Sequence, residues 1–101
     1  MVGVIIADDH PVFRAGLKMI LEKDPLMKVV EEVSDGESLL KFAAKKSYDI
    51  ALMDLSMPGR NWLDVIKELK EIRPAMPILV VSMHNEEEYI IRALKAGAAG
   101  Y

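Results

Sequence analysis

The sequence predicts an α/β fold built on a doubly wound parallel sheet. Segments typical of strands and helices alternate four times along the 101 residues. The third and fourth strand segments are nearly solid apolar runs, the pattern of strands buried on both faces of a parallel sheet. The helical segments repeat apolar residues every three to four positions, so each offers one face to that sheet. In such folds, ligands bind at the carboxyl ends of the strands.

Length and composition indicate a single globular domain that covers residues 1–101. Apolar residues make up 51% of the chain and charged residues 29%, a mixture typical of folded domains. The formal net charge of −3 argues against direct nucleic-acid binding, which usually uses a basic stripe. The absence of cysteine excludes disulfides and thiolate metal sites. No segment resembles a signal peptide or a membrane span, so we expect a cytoplasmic protein without membrane contact.

Proline and charge mark the predicted elements in the first half of the chain. Pro11 suits the first turn of a helix, and Asp24-Pro25 stops that helix. The adjacent Glu31 and Glu32 suit the edge of a sheet better than its centre. The predicted elements are a strand at Val2–Ala7, a helix from Pro11 to about Glu22, a strand at Lys28–Ser34, and a helix that follows Asp35-Gly36 and ends near Lys46.

The second half repeats the alternation of strand and helix. Leu63, Ile66, Leu69 and Ile72 recur every three residues, which predicts an amphipathic helix that Pro74 ends. The other predicted elements are strands at Asp49–Asp54 and Pro77–Val81 and a helix that Asn85 caps, with Glu86–Glu88 in its first turn, Lys95 in its last turn and Gly97 after its end.

Polar residues follow three of the predicted strands and should meet at one edge of the sheet. Asp8 and Asp9 follow the first strand, Asp54 the third and Ser82 the fourth. Like-charged carboxylates repel one another unless a cation joins them, and without cysteine an oxygen-liganded ion such as Mg²⁺ is favoured over zinc. A carboxylate beside Mg²⁺ can form an acyl phosphate, which predicts Asp54 as a phosphate-accepting nucleophile.

Each of these residues also has a simpler interpretation. Asp54 is a strand-terminal carboxylate, expected where the strand leaves the core, and it could merely cap the next loop. Asp8 could cap a helix, and Ser82 could be an ordinary serine at the start of a loop. His10, directly before Pro11, is interpreted as a helix cap rather than a metal ligand.

Four segments together carry a resemblance to a known family. ADDHPVFRAGL at 7–17, ALMDLSMPG at 51–59, ILVVSMH at 78–84 and ALKAGAAGY at 93–101 resemble the receiver domain of two-component response regulators. The closest subclass is the NarL/FixJ-like one, whose receivers precede a helix-turn-helix DNA-binding domain. The resemblance implies a flavodoxin-like sheet with strand order 2-1-3-4-5. Because the sequence ends at Tyr101, we expect the chain to lack the fifth helix, most of strand five and the DNA-binding domain.

The resemblance also implies roles for individual residues. Asp54 would accept a phosphoryl group from a sensor histidine kinase, beside Mg²⁺ held by Asp8, Asp9, Asp54 and the backbone carbonyl of Ser56. Ser82 would turn toward the phosphoryl group. The remaining implied roles are an aromatic switch at Tyr101 and tuning of the phosphoryl lifetime at Ser56 and His84.

The chain departs from the family pattern at two places. The family's lysine would lie three residues beyond Tyr101, and Trp62 stands where the family has glycine. Tyr89 and Ile91 are expected off the core face of the fourth helix, either partly packed or at an output interface. Without a fifth helix, we expect an uncovered sheet face and self-association, most simply as a twofold dimer, or else a loosely folded chain. Candidates for that face lie among Val4, Ile6, Ile50, Leu52, Ile78 and Val80.

The favoured function is a phosphorylation-controlled signalling module, in the family usually one that controls transcription, rather than an enzyme. One alternative is a Mg²⁺-dependent phosphohydrolase that forms an aspartyl phosphate. Such enzymes usually have a second aspartate two residues after the nucleophile, where this chain has Ser56. The other alternative is a non-signalling fragment of a receiver.

Overall fold

The computed structural model describes residues 1–82 and 87–101. Within these ranges, strands and helices alternate as the sequence predicts. The elements are β1 Val2–Ala7, α1 Pro11–Leu21, β2 Met27–Val33, α2 Gly36–Lys45, β3 Ile50–Met53, α3 Trp62–Ile72, β4 Ile78–Val80 and α4 Glu87–Ala96. All strand pairs are parallel, and the sheet order is β2-β1-β3-β4. None of the described helices is long and apolar enough to span a bilayer.

The element boundaries differ from the predicted ones by a residue or two. The third helix begins at Trp62, and the side chain of Asn61 caps it by accepting the Leu63 backbone N–H at 2.9 Å. That N-cap was not predicted from the sequence. The predicted cap of the fourth helix, Asn85, and its neighbour Glu86 lie outside the described residues.

Both edges of the sheet agree with the predicted topology. Within the described ranges β2 pairs with β1 alone, so the strand with Glu31 and Glu32 is an edge strand. On the opposite edge, the position of a fifth strand is occupied by the last described residues. The Ala99 N–H donates to the carbonyl of Ile78 at 2.8 Å, and the Val80 N–H donates to the carbonyl of Gly100 at 3.0 Å.

Helices cover the two faces of the sheet unequally. Ile5, Ala7, Ile78 and Val80 point to the face that α2, α3 and α4 cover, where the larger apolar cluster lies. A smaller cluster on the other face joins the sheet to α1. It contains Val4, Ile6, Val29 and Leu52, with Leu17 and Leu21 of α1 packed against it.

The structure corrects the predicted set of uncovered residues. Val4, Ile6 and Leu52 are at most 4% exposed, since they lie in the cluster beneath α1. Ile78 and Val80 are buried on the opposite face, because side chains alternate along a strand and the parity of β4 could not be read from a solid apolar run. Among the predicted candidates, Ile50 is half-buried on the α1 face, and two residues that were not predicted, Leu79 and Val81, are half-buried there as well.

Two glycines are required by the backbone or by packing. Gly97 has φ +121° just after α4, in the left-handed region that ends helices, as predicted. Gly36 was predicted only as a turn residue, but a Cβ at this position would lie 2.7 Å from Cγ2 of Val65. Gly36 therefore permits the close approach of α2 and α3.

Asp35 caps α2, and this contact gives a pH-dependent prediction. Its carboxylate accepts the Ser38 backbone N–H at 2.7 Å. Hydrogen bonds from the Ser38 backbone and then from its hydroxyl lower the pKa of Asp35 from its ordinary value. Because the folded-state pKa is lowered, the ionised carboxylate of Asp35 stabilises the folded protein fully at pH values above its unfolded-state pKa of about 3.9. This stabilisation is lost as the pH falls through the folded-state pKa.

Asp35→Ala should therefore lower the free energy of unfolding by about 1 kcal/mol at pH 7, the usual cost of losing an N-cap. The difference from wild type should shrink as the pH falls below 4 in urea denaturation series. Asp35→Asn is the matched control, because asparagine caps a helix but does not titrate. An Asp35→Ala variant as stable as wild type at pH 7 would contradict this role for the cap.

Candidate functional site

The carboxyl ends of β1 and β3 hold two buried carboxylates side by side. Asp8 follows β1 and is 1% exposed, and Asp54 follows β3 and is 7% exposed. The sheet ladder continues through both residues, because the Asp8 N–H donates to Val33 O at 2.9 Å and the Asp54 N–H donates to Ala7 O at 3.0 Å. The expectation that Asp54 marks where the strand leaves the core is therefore wrong. The side chain is still buried at that point.

The hydrogen bonds of Asp54 and Asp8 differ. Oδ2 of Asp54 accepts the Ser56 hydroxyl at 3.0 Å, and Oδ1 lies 3.3 Å from the donating Ser56 N–H. Oδ1 of Asp8 accepts the His10 backbone N–H at 2.6 Å, which gives Asp8 a local turn-capping role as well. Oδ2 of Asp8, however, is buried and has no hydrogen-bond partner among the described residues. A buried carboxylate oxygen without a partner is costly unless something else satisfies it.

The side chain of His10 does not have the predicted capping role. Its backbone occupies the N-cap position of α1, but its side chain makes no capping hydrogen bond. Instead, Nδ1 lies 3.0 Å from Asp9 Oδ1, 3.3 Å from Asp8 Oδ1 and 3.6 Å from Asp54 Oδ2. The sequence places His10 directly after Asp8 and Asp9, which permits this contact but does not distinguish it from capping.

This cluster fits a divalent cation. Asp8, Asp9, His10 and Asp54 each offer a ligand atom, and these atoms lie within 4.8 Å of one another. Oδ2 of Asp8 and Oδ1 of Asp9 are both buried without a hydrogen-bond partner in the described part of the chain. Carboxylate oxygens are the ligands that Mg²⁺ prefers, so the donor set matches the predicted ion.

A cavity of about 440 Å³ opens beside Asp54. One end is polar and the other is formed by apolar side chains of α1 and of the chain after β4. The lining residues are His10, Val12, Phe13, Asp54, Ser56, Val81 and Ser82. Two of the predicted site residues, Ser56 and Ser82, thus lie in the same cavity as Asp54, which leaves space for a small substituent on its carboxylate.

The other predicted site residues lie elsewhere or outside the described ranges. Tyr101 is half-buried and packs against the core on the face covered by α2, α3 and α4. It is absent from the described lining of the cavity beside Asp54. His84 lies outside the described residues.

An aromatic pair links α3 to α4. The rings of Trp62 and Tyr89 have centroids 6.0 Å apart and are tilted by 35°. Both side chains are half-buried and pack against the core, so the structure agrees with partial packing, the first of the two alternatives predicted for Tyr89. Ile91 is 42% exposed, as expected for a residue off that face.

Arg60 tethers the loop that follows Asp54 to two helices, a contact that sequence reasoning missed. Its guanidinium donates to both carboxylate oxygens of Glu68 on α3, at 2.8 Å for Nη1 to Oε2, and lies 3.7 Å from Glu37 on α2. The hydrogen bond from Arg60 lowers the pKa of Glu68 and raises that of Arg60. Arg60 and Glu68 are eight residues apart, and Arg60 lies in the loop before α3, so no helical spacing indicated this pair.

Comparison with known proteins finds relatives over nearly the whole chain. A family model described as the response regulator receiver domain matches residues 4–101. The transcriptional regulatory protein DegU of Brevibacillus brevis is 38% identical over 100 residues, which are 99% of this chain and 42% of that protein. The nitrate/nitrite response regulator protein NarL of Escherichia coli K12 is 40% identical over 98 residues, which are 97% of this chain and 45% of that protein.

A solved structure agrees with these matches. A two-component response regulator of the LuxR family from Aurantimonas sp. SI85-9A1 superposes with a TM-score of 0.94 at 30% identity, covering 100% of this chain and 72% of that one. The chain spans less than half the length of both DegU and NarL, the two curated relatives compared.

Proposed function

The chain belongs to the family of response regulator receiver domains, and we propose that Asp54 is its phosphoacceptor, taking a phosphoryl group from a sensor histidine kinase. The observation that carries this role is the placement of Asp54, a buried carboxylate that faces a cavity of about 440 Å³ beside Asp8 and Asp9. A buried carboxylate with two acidic neighbours and adjacent space is suited to covalent modification rather than to packing.

The side chains of Asp8, Asp9 and Asp54, together with the backbone carbonyl of Ser56, hold Mg²⁺ in this proposal. When bound, the ion offsets the negative charge of the acidic cluster and of the transferring phosphoryl group. The buried, unpartnered Oδ2 of Asp8 supports this assignment, because a cation would satisfy it.

The chain's own groups then account for the transfer. A carboxylate oxygen of Asp54 attacks the phosphorus of a phosphohistidine, and an O–P bond forms as the P–N bond breaks. The imidazole nitrogen of the kinase keeps the bonding electron pair. The Ser56 hydroxyl, which donates to Asp54 Oδ2 at 3.0 Å, orients the carboxylate. Ser82, in the same cavity, donates its hydroxyl hydrogen to a phosphoryl oxygen.

The domain acts as a regulatory phosphoacceptor rather than as an enzyme with a separate substrate. A phosphohydrolase would need a general acid near Asp54, and the hydroxyl of Ser56 is too weak an acid for that role. Movement of Ser82 is relayed to Tyr101, while Ser56 and His84 tune the lifetime of the phosphoryl group. In this proposal the whole protein regulates transcription, as the name of DegU states for that relative, and it acts in the cytoplasm, with DNA contacts made outside this acidic domain.

Phosphorylation by acetyl phosphate tests the assignment of Asp54. With Mg²⁺ present, intact-mass measurements should show one added phosphoryl group on wild type and none on Asp54→Ala. Ser56→Ala is a control that keeps the nucleophile and should still be labelled. Undiminished labelling of Asp54→Ala would overturn the assignment, as would a wild-type chain that binds Mg²⁺ but is never labelled by acetyl phosphate or by a phosphorylated kinase.

Self-association is a further part of the proposal. The chain forms a twofold dimer through the surface between α1 and β4, which we define by Val12, Phe13, Leu79 and Val81. Val12 is 86% exposed and Phe13 43% exposed. Val81, which lines the same cavity as these two, and Leu79, in the cluster beneath α1, are half-buried. Covering contiguous apolar side chains of this kind favours association.

Sedimentation velocity at micromolar concentration should therefore detect dimers of wild type. Replacing both Val12 and Phe13 by Glu should shift the distribution to monomer, because two buried carboxylates would oppose the interface. Leu94, which is 46% exposed on α4 at the opposite face of the sheet, provides the control variant Leu94→Glu. A wild type that stays monomeric at all concentrations would refute the proposed dimer.

A further inference from the structure

A second cavity lies at the amino ends of β3 and β4, the edge of the sheet opposite Asp54. Its volume is about 430 Å³, within the range of about 300–1,000 Å³ that is usual for small-molecule sites. The segments that precede the two strands form its walls. The lining includes Tyr48, Asp49, Ile72, Arg73, Pro74 and Met76.

Hydrogen bonds hold the walls of this cavity in place. Nε of Arg73 donates to the carbonyl of Ala43 at 2.8 Å, which ties the end of α3 to α2. Oδ2 of Asp49 accepts the Gly3 N–H at 2.6 Å, which ties the segment before β3 to β1. Nζ of Lys70 donates to two backbone carbonyls of the segment between α3 and β4, at 2.8 and 3.2 Å. These contacts preform the cavity, which lowers the cost of ordering it when a ligand binds.

One positive and one negative side chain line the cavity without pairing with each other. Within residues 1–82 and 87–101, the guanidinium of Arg73 forms no ion pair. Asp49 uses Oδ2 for the Gly3 N–H, which leaves Oδ1 for another donor. A purely anionic ligand would be repelled by Asp49, and a purely cationic one by Arg73. A ligand that carries both charges is attracted by both side chains.

The hydroxyl of Tyr48 is a further donor beside these charges. Tyr48 is 7% exposed, and in the part of the chain that the structure describes its hydroxyl has no hydrogen-bond partner. Burial, and then the negative charge of Glu31, raise the pKa of Tyr48 from its ordinary value of 10.0, so the phenol keeps its hydrogen. A buried hydroxyl without a partner is costly, and a ligand carboxylate that accepts its hydrogen offsets that cost.

The apolar part of the lining suits a short aliphatic group. Ile72 completes the apolar repeat of α3, yet it is 36% exposed and lines the cavity. Pro74 and Met76 line the same space. An aliphatic group placed here removes part of this apolar surface from water, which favours binding.

We propose that this cavity binds a small zwitterion with an aliphatic side chain, which is the chemistry of an α-amino acid. The ligand carboxylate contacts the Arg73 guanidinium and the Tyr48 hydroxyl, and the ligand ammonium contacts Asp49 Oδ1. The site is independent of the proposed function, because the lining of this cavity contains no residue of the acidic cluster. The domain therefore has a small-molecule input at the edge of the sheet opposite the phosphoacceptor.

Titrations with three related probes test the charge requirement on wild type. L-leucine carries both charges, isocaproate is leucine without its ammonium, and isoamylamine is leucine without its carboxylate. In amide nuclear magnetic resonance spectra, L-leucine should shift the signals of residues 47–49 and 72–76 with a Kd of about 1 mM or tighter. Each analogue should bind about tenfold more weakly or worse, since a charged hydrogen bond is lost.

Three results of these titrations would overturn the inference. The first is no shift by L-leucine up to about 10 mM, a concentration that nearly saturates a site with the expected affinity. The second is a set of shifts confined to residues outside the cavity. The third is an analogue that binds as tightly as L-leucine, because the two charges would then not be recognised together.

Asp49→Asn separates a ligand contact from a structural role. Asparagine still accepts the Gly3 N–H, but it lacks the charge that attracts the ammonium. The variant should bind L-leucine about tenfold more weakly, and isocaproate at least as tightly as wild type does. Asp24→Asn is the matched control, because Asp24 is also exposed and its side chain accepts a backbone N–H, that of Leu26 at 2.9 Å. An equal loss for both probes in Asp49→Asn, or an equal loss of L-leucine binding in Asp24→Asn, would refute the contact.

Tyr48→Phe removes the proposed donor and keeps the ring. The variant should bind both L-leucine and isocaproate about three- to tenfold more weakly, since the hydroxyl contacts the carboxylate that these probes share. Tyr89→Phe makes the same chemical change on α4, and Tyr89 is absent from the described lining of this cavity. Unchanged affinities in Tyr48→Phe, or equal losses in both variants, would contradict the role of Tyr48.

Discussion

Replacing Ile66 by alanine should lower the free energy of unfolding by about 2–5 kcal/mol, the range for deleting a buried aliphatic side chain. Ile66 lies on α3, is 0% exposed, and belongs to the larger apolar cluster against the sheet. The loss combines the transfer of the removed atoms to water with the cavity left in a packed core. Small domains are stable by only about 5–15 kcal/mol, so this change removes a large part of the total.

Urea denaturation followed by the emission of Trp62, the single tryptophan, would measure the loss. Ile20→Ala is the matched control, because Ile20 is also helical but is 65% exposed on α1. The two variants share the same change in helix propensity, so their difference isolates burial. Equal stabilities for the two variants would contradict the assignment of Ile66 to the core.

The fold was predictable because each element carried its own local signal. The apolar runs at Ile50–Met53 and Ile78–Val80 marked buried parallel strands, and the glutamates of Met27–Val33 marked an edge strand. The parity of β4 was not predictable, because a strand that is apolar on both faces carries no alternation. The packing of Tyr89 on Trp62 joins two helices distant in sequence, which no local pattern reveals.

The sequence was sufficient to predict which carboxylates form the candidate site, but not the contact that the His10 side chain makes with them. Asp8, Asp9 and Asp54 follow strands that parallel topology brings together, so their meeting follows from the fold. The orientation of the His10 ring was not predictable from the sequence. With the same backbone, a histidine before Pro11 can either cap the helix or turn toward the aspartates. Only the three-dimensional placement of Asp9 and Asp54 distinguishes these two orientations.

Replacing both Asp8 and Asp9 by asparagine should weaken Mg²⁺ binding at least tenfold, a difference of about 1.4 kcal/mol. Asparagine keeps the shape of the side chain but removes two negative charges from a cluster whose ligand atoms lie within 4.8 Å of one another. Coulomb attraction at such distances is strong where water is partly excluded, as it is around Asp8, which is 1% exposed. Calorimetric titration with MgCl₂ would measure the change directly.

The control for this prediction removes the same charge elsewhere. Glu87 and Glu88 are adjacent exposed acids at the start of α4, and replacing both by glutamine changes the net charge equally at a place away from the cluster. If Mg²⁺ affinity falls equally in both double variants, the ion responds to overall charge rather than to a site.

The asparagine variant should also fold at least as stably as wild type without Mg²⁺, because repulsion of the two aspartates with Asp54 is removed. A metal-free variant less stable than wild type would show that Asp8 contributes more through its 2.6 Å hydrogen bond from the His10 N–H than it costs by repulsion.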